Sequence, residues 1–315
     1  MTPLHSSTSS SDTRRYLVTL LAVLALFVVG LIAVTATGYR LGLVAAANQL
    51  IYSYQMEKVS RATGVEVAFV GDSSLGNAID ARLFTELSGR KTINLALNGS
   101  YGSGGALNMT RRMLAKPDLK LVVVLQTIDV LHRDDAFAGF YFSADPMQLL
   151  TVPPVQIVEL YFSLKTARRM IDQLRHSGAE PPQFIEDDYV SQKTHAISRP
   201  PKVEVAVNPL RPDMLARSQL DYLARLAELC RAHGVRCVYA NGPIYDGYCE
   251  QAADYIAALD DAVEAAGLPV TRGTPICMPE RDVGNSIDHV RSDLKQDYTR
   301  RYYALLRATI ASLGS

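Results

Sequence analysis

Three short segments carry side chains whose chemistry goes beyond packing: Gly71-Asp72-Ser73-Ser74, Asn98-Gly99-Ser100-Tyr101-Gly102 and Asp288-His289. A serine hydroxyl becomes a useful nucleophile when a base takes its proton, and histidine is the usual base. The imidazole needs an acceptor on its second nitrogen to hold the productive tautomer. Ser73 as nucleophile, His289 as base and Asp288 as orienting carboxylate would supply that set. The backbone N–H groups of Ser73 and Gly99 are suited to the charge that builds on a carbonyl oxygen during acyl transfer. Asp72, Asn98 and Asn241 are further polar candidates for supporting the same site. Each segment also has a plainer reading: Ser and Asp cap helices, Asn-Gly makes turns, and one histidine beside a helix start is often a solvated cap. The G-x-S-x-G nucleophile elbow does not fit, because the glycine it needs is replaced by Leu75.

The elements around these segments make the catalytic reading more specific. Short apolar runs at 65–70, 92–97, 121–125, 235–240 and 268–271 read as strands. Helices are expected at 41–61, 78–87, 105–115, 218–233, 249–265 and 294–312. Apolar strands alternating with helices predict a five-stranded, doubly wound parallel α/β sheet. Ligands of such sheets bind at the carboxyl ends of the strands. Ser73 and Gly99 follow the first and second strands, and His289 precedes the last helix, so all three are expected at that edge. The alternation breaks over residues 134–207, where Pro153-Pro154, Pro181-Pro182 and Pro200-Pro201 interrupt the pattern. That stretch reads as an insertion with one amphipathic helix at 155–175, placed to cover the active edge, lie on a membrane or meet a partner.

In this order and setting the motifs resemble the SGNH (GDSL-like) hydrolase superfamily. Gly71, Asp72 and Ser73 match its first block, Gly99 its second, and His289 its last. The resemblance covers about residues 63–133 and 208–315. It implies a flavodoxin-like fold and an acyl-serine intermediate, with neither metal nor cofactor. Two positions depart from the family pattern. Ile128 stands where the family has the asparagine that completes the oxyanion hole, and Ser286 stands where it has an aspartate three residues before the histidine. Asp288 is the nearest carboxylate, with Asp282 as the fallback.

An uncharged run, YLVTLLAVLALFVVGLIAVTATGY, occupies residues 16–39. A membrane-crossing helix needs about 20 apolar residues, whereas the apolar core of a cleaved signal peptide runs to about 7–15. Arg14 and Arg15 before the run, against Arg40 after it, predict a cytoplasmic N-terminus. The organisation expected is a cytoplasmic tail over 1–15, an anchor over 16–39, a linker helix over 40–62 and an extracytoplasmic domain over 63–315. That places the protein in the inner membrane, with its domain in the periplasm or outside the cell.

Such an architecture resembles accessory proteins of cell-surface polysaccharide O-acylation. It implies a polysaccharide or acyl-ester substrate and a multi-spanning acyltransferase or polysaccharide synthase as partner. The alternative is an inactive SGNH-like scaffold that binds the polysaccharide or the membrane partner. The formal net charge of zero gives no support to bulk nucleic-acid binding. A dinucleotide site is disfavoured because no G-x-G-x-x-G follows the first strand. The spacing of Cys230, Cys237, Cys249 and Cys277 matches no zinc site. A Cys249–Cys277 disulfide is the favoured pairing, with Cys230 and Cys237 read as buried thiols.

Overall fold

The computed structural model describes residues 10–40, 46–134, 136–153, 155–156, 183–185, 188–190 and 210–313. The chain forms two compact units, residues 1–49 with 154–179, and residues 50–153 with 180–315. In the first, residues Ser10–Arg40 form one helix, α1, which contains the uncharged run. Among the described residues no helix is long and apolar enough to cross a membrane. The helix expected at 155–175 lies outside the described residues but for its first two positions, which are helical.

The larger unit is a mixed α/β fold around a parallel four-stranded sheet. Its strands are β1 (Val67–Gly71), β2 (Thr92–Ala96), β3 (Leu121–Gln126) and β6 (Arg236–Asn241). Their spatial order is β2-β1-β3-β6. Gly71, at the end of β1, pairs with Ala96 on one side and Leu125 on the other. The chain steps one way from β1 to β2, through α3 (Ser73–Ala78) and α4 (Ala81–Ser88). It steps back the other way to β3, through α5 (Gly102–Leu114). Right-handed crossovers in opposite directions put these helices on opposite faces. The change of direction leaves a crevice between the ends of β1 and β3.

The fifth strand expected at 268–271 is a correction. Only an isolated bridge between Tyr239 and Val270 forms there. Tyr239 N donates to Pro269 O at 2.8 Å and Thr271 N to Tyr239 O at 2.7 Å. A four-residue run containing a proline, which has no N–H, is too short to extend this pairing. A second correction concerns the start of the insertion. Residues Ala136–Ser143 form a helix, α6, whose Ala136 and Phe140 are buried in the core against α5. Beyond it lie a short helix, α7 (Pro146–Leu149), and an antiparallel ribbon of β4 (Gln183–Ile185) and β5 (Asp188–Val190). The backbone of β5 runs beside α3.

The sheet interior explains its stability. Val67–Val70 and Leu121–Leu125 are completely buried, as expected of strands covered on both faces. The edge strand β2 is capped by α2 (Ala46–Arg61). Gln55 Nε2 donates to Ala96 O and Lys58 Nζ to Asn94 O, both at 2.7 Å, which occupies edge carbonyls that could otherwise pair with another chain. Helix α4 starts on an Asp80 cap and stops at Gly89 with φ +65°. It seats Phe84 edge-on against Phe69, with ring centroids 4.8 Å apart. Before β6 comes α8 (Arg217–Ala232), packed on α5; after it come α9 (Asp246–Gln251), α10 (Ala253–Ala265) and α11 (Lys295–Ala311), the last packed on α3 and α4. A small parallel pair, β7 (Ile244–Tyr245) with β8 (Cys277–Met278), was not anticipated.

A Cβ on Gly71 would lie 1.7 Å from Leu125 O, a backbone atom in the middle of the sheet. Gly71→Ala should therefore lower the unfolding free energy by about 3 kcal/mol or prevent folding. Gly89→Ala, with nothing within 4 Å but a left-handed φ, should cost about 1 kcal/mol. Urea melts of the two variants test the contrast, and equal losses would refute it.

Candidate active site

Asp72 is the N-cap of α3 and is almost completely buried. Its Oδ1 accepts from Ser74 N at 2.9 Å and Ser74 Oγ at 2.6 Å, and its Oδ2 accepts from Thr127 N at 2.9 Å. One carboxylate thereby ties the start of α3 to the end of β3. It also separates the roles of two adjacent serines. Ser74 is fully buried and bound to Asp72, while Ser73 keeps part of its surface. Asn77 Nδ2 donates to Ser73 O at 2.7 Å and holds this first turn from the other side.

The imidazole of His289 meets Ser73, with Nε2 2.8 Å from Ser73 Oγ. Its Nδ1 lies 2.6 Å from Asn285 Oδ1. If Nδ1 carries the proton and gives it to this carbonyl oxygen, Nε2 is left as a lone pair facing the serine O–H, the arrangement a general base needs. The loop bearing both residues is tightly closed. Val283 and Val290 form an antiparallel bridge, Arg291 N donates to Asp282 O at 2.9 Å, and Gly284 N donates to His289 O at 2.6 Å. Tyr245 N donates to Ile287 O at 2.7 Å and fastens the loop to β7.

The side chain behind the imidazole is not the one expected. Asp288 was expected behind the imidazole, but its Oδ1 is 3.8 Å from Nε2, on the serine side, and accepts from Ser286 Oγ. Adjacent side chains diverge, so a residue next to the histidine does not reach Nδ1. Asn285, four residues earlier, does, because the chain turns between them with His289 N donating to Ser286 O at 3.0 Å. A search confined to carboxylates misses it; an amide oxygen within one turn of the histidine is the signal. Asp282, the fallback, accepts from Tyr298 OH at 2.9 Å. The negative charge that Asn285 lacks is present at Asp288.

No protein-family model and no curated protein matches this sequence.

Where the family pattern has asparagine, Ile128 is fully buried, and its carbonyl accepts from Tyr255 OH at 3.0 Å. Arg133 Nη1 is 2.6 Å from where a Cβ on Gly99 would be. The glycine thus leaves room for a guanidinium at the rim. Asp129 pairs with Arg133 Nη2, and Gln219 Nε2 donates to Arg133 O at 2.8 Å, which fixes the backbone. Asn98 accepts from Ser100 N at 3.0 Å and shapes its own turn. Asn241 donates to Asp260 at 2.8 Å, away from the serine, while its neighbour Gly242 is the residue that packs on Ser74.

Both pairs of cysteines are bonded. The Cys249–Cys277 disulfide joins α9 to β8, and Cys230–Cys237 joins α8 to β6. The latter corrects the reading of Cys230 and Cys237 as separate thiols; helix end and strand start face each other across a short turn. Among the described residues no cluster of His, Cys, Asp or Glu is arranged to hold a metal.

Burial pushes the Asp72 carboxyl up to about 7, with the nearby Asp288 adding to the rise and the Ser74 and Thr127 donors opposing it. Burial also raises Asp129, against the pull of Arg133. An acid whose pKa is higher in the folded than in the unfolded state binds protons more tightly when folded. The Asp72 contribution is then complete below about pH 4 and is lost as pH rises through about 7. Stability should fall between about pH 4 and 7, and Asp72→Asn should flatten that slope; a slope unchanged in the variant would refute the assignment. Separately, Asn285→Ala should slow fluorophosphonate labelling of Ser73 by about 10²-fold, and Asn285→Asp should keep or raise it. Equal rates in all three proteins would show that Asn285 does not orient the base.

Proposed function

We propose that the protein is a serine-dependent acyl-ester hydrolase or O-acyltransferase of the SGNH type, acting on a cell-surface or exported polysaccharide. The observation that carries this reading is the 2.8 Å contact of His289 Nε2 with Ser73 Oγ, with Nδ1 held on Asn285. His289 takes the Ser73 proton as Oγ bonds to the ester carbon and the carbonyl electrons move onto oxygen. The N–H groups of Ser73 and Gly99, with the Arg133 guanidinium that lies beside Gly99, are the donors assigned to that charge. Collapse breaks the bond to the leaving alcohol, which receives the proton from His289 and leaves an acyl-serine. Water or a sugar hydroxyl then gives its proton to His289 and takes the acyl group, and Ser73 recovers its hydrogen.

Membrane attachment through residues 16–39 belongs to the same proposal. Leu20, Leu24 and Phe27 are exposed on α1, and residues 16–39 carry no charge; lipid is the solvent that suits such side chains. Two disulfides suit an oxidising compartment such as the periplasm. A multi-spanning acyltransferase or a polysaccharide synthase is the partner this architecture suggests. The buried Ile128 and the neutral Asn285 favour a second reading, an inactive scaffold that binds the polymer or that partner.

Turnover of p-nitrophenyl acetate and labelling by a fluorophosphonate separate the two. The enzyme reading expects both in the wild type and neither in Ser73→Ala. Arg133→Met is expected to lower kcat about 10²-fold with little change in KM, as for loss of one oxyanion donor. Absence of labelling in folded wild-type protein would leave the scaffold.

A further inference from the structure

The loop that carries Asn285 and His289 is entered from a small assembly outside the main sheet. It consists of β7, the helix α9 that follows it directly, and β8. Backbone bonding inside this assembly is sparse. Strands β7 and β8 pair over two residues, Ile244 with Cys277 and Tyr245 with Met278, and Ile244 N donates to Ile276 O at 3.2 Å. A strand pair this short has little stability of its own. The covalent link is Cys249–Cys277, which ties α9 to β8 across a sequence separation of 28. From β7 comes the bond of Tyr245 N to Ile287 O at 2.7 Å, and Ile287 stands two residues before His289. From β8 the chain runs through Pro279 and the turn Glu280–Asp282 into the Val283–Val290 bridge. The disulfide thus joins both supports of the histidine loop, the strand that leads into it and the strand that fastens it.

We propose that Cys249–Cys277 is a redox lock on the position of His289: its reduction by a dithiol frees the loop and parts the imidazole from Ser73. This rests on the acyl-transfer reading, whose regulation it supplies. A disulfide acts by removing freedom from the chain between its ends, the more so the longer that chain. Cys230–Cys237 has a sequence separation of 7, and there the backbone already closes the turn. Val235 N donates to Cys230 O at 3.1 Å, and β6 is paired along its length with β3. Its loss should change little at the site. The two ends of Cys249–Cys277 differ in access. Cys277 is exposed and Cys249 is buried, so the thiolate of a small dithiol attacks at Cys277. A sulfur–sulfur bond forms to Cys277 as its bond to Cys249 breaks, and Cys249 leaves as a thiolate and takes a proton. The second thiol of the reductant then displaces Cys277 as a thiol. Two electrons and two protons have passed to the cysteines, and the reductant is left as a disulfide. Run in reverse, oxidation sets the loop in place, so the serine gains its base where disulfides can form.

The test uses the full chain in micelles of an uncharged detergent, with Cys230→Ala and Cys237→Ala together leaving one disulfide to reduce. Dithiothreitol is the reductant, and the thiols released are counted by the mass added with iodoacetamide. Two readouts are followed: fluorophosphonate labelling of Ser73, and amide hydrogen exchange of residues 279–291 by mass spectrometry. The oxidised variant should label as the wild type does. As Cys249–Cys277 is reduced, labelling should fall about 10²-fold, as for loss of a general base. Exchange in 279–291 should quicken about tenfold, while exchange in β1 and β3 stays as it was. Reoxidation should restore both readouts, and Cys249→Ala with Cys277→Ala should show the reduced behaviour with or without dithiothreitol. Unchanged exchange in 279–291 after complete reduction, or labelling that persists undiminished, would overturn the proposal. So would exchange that rises equally in β1 and β3, which would make the disulfide a support of the whole fold. If the oxidised protein is never labelled, the acyl-transfer reading falls, and exchange in 279–291 decides alone whether the disulfide holds the histidine loop.

Discussion

The buried carboxylate of Asp72 is the constraint on which the rest of the site depends. It accepts three hydrogen bonds, two from Ser74 and one from Thr127, and so joins the carboxyl ends of β1 and β3 through a single side chain. Without that tie the turn after β1 would have no fixed direction, and the hydroxyl of Ser73 would have no fixed place. The tie works only because the strands approach closely at Gly71, where any side chain would collide with the neighbouring carbonyl. Glycine, aspartate and serine are therefore one device: the first lets the strands close, the second locks the turn, and the third is left at the surface with its hydroxyl aimed outward.

On the other side of the contact, the histidine is held by its own loop rather than by a regular element. The bridge between Val283 and Val290 and the bond from Tyr245 to Ile287 give this loop two points of attachment. The Cys249–Cys277 disulfide braces the elements that flank it. Charge is distributed unusually around the imidazole. A neutral amide orients it from behind, and the carboxylate of Asp288 stands in front, near the nitrogen that faces the serine. The polar groups nearest its two nitrogens therefore come from two different residues of the same loop.

The strands of the sheet were legible in the sequence because each is a short apolar run ended by glycine, asparagine or glutamine, and burial on both faces leaves little else that such runs can do. The exception at 268–271 shows the limit: the same apolar pattern containing Pro269 yields one bridge, since pairing depends on donors that residue type alone decides. The start of the insertion misled for a different reason. The helix Ala136–Ser143 is apolar on nearly every side, so no periodicity announces which face it buries, yet Gly104 and Gly139 let it pack directly on α5 and Tyr101. At the site, Ser73 and His289 were found from their positions after strand one and before the last helix. Asn285 and Arg133 were not, because their roles come from the bend of a loop and from the space above a glycine, neither of which has a spacing rule.

The serine and its base are 216 residues apart in the chain, and the base arrives last. A ribosome finishes β1, α3 and most of the sheet well before it reaches the loop that carries His289. Throughout that interval the emerging polypeptide displays a hydroxyl with no proton acceptor beside it. The contact forms only once the last part of the chain has been made, so until synthesis is nearly complete Ser73 has no imidazole beside it.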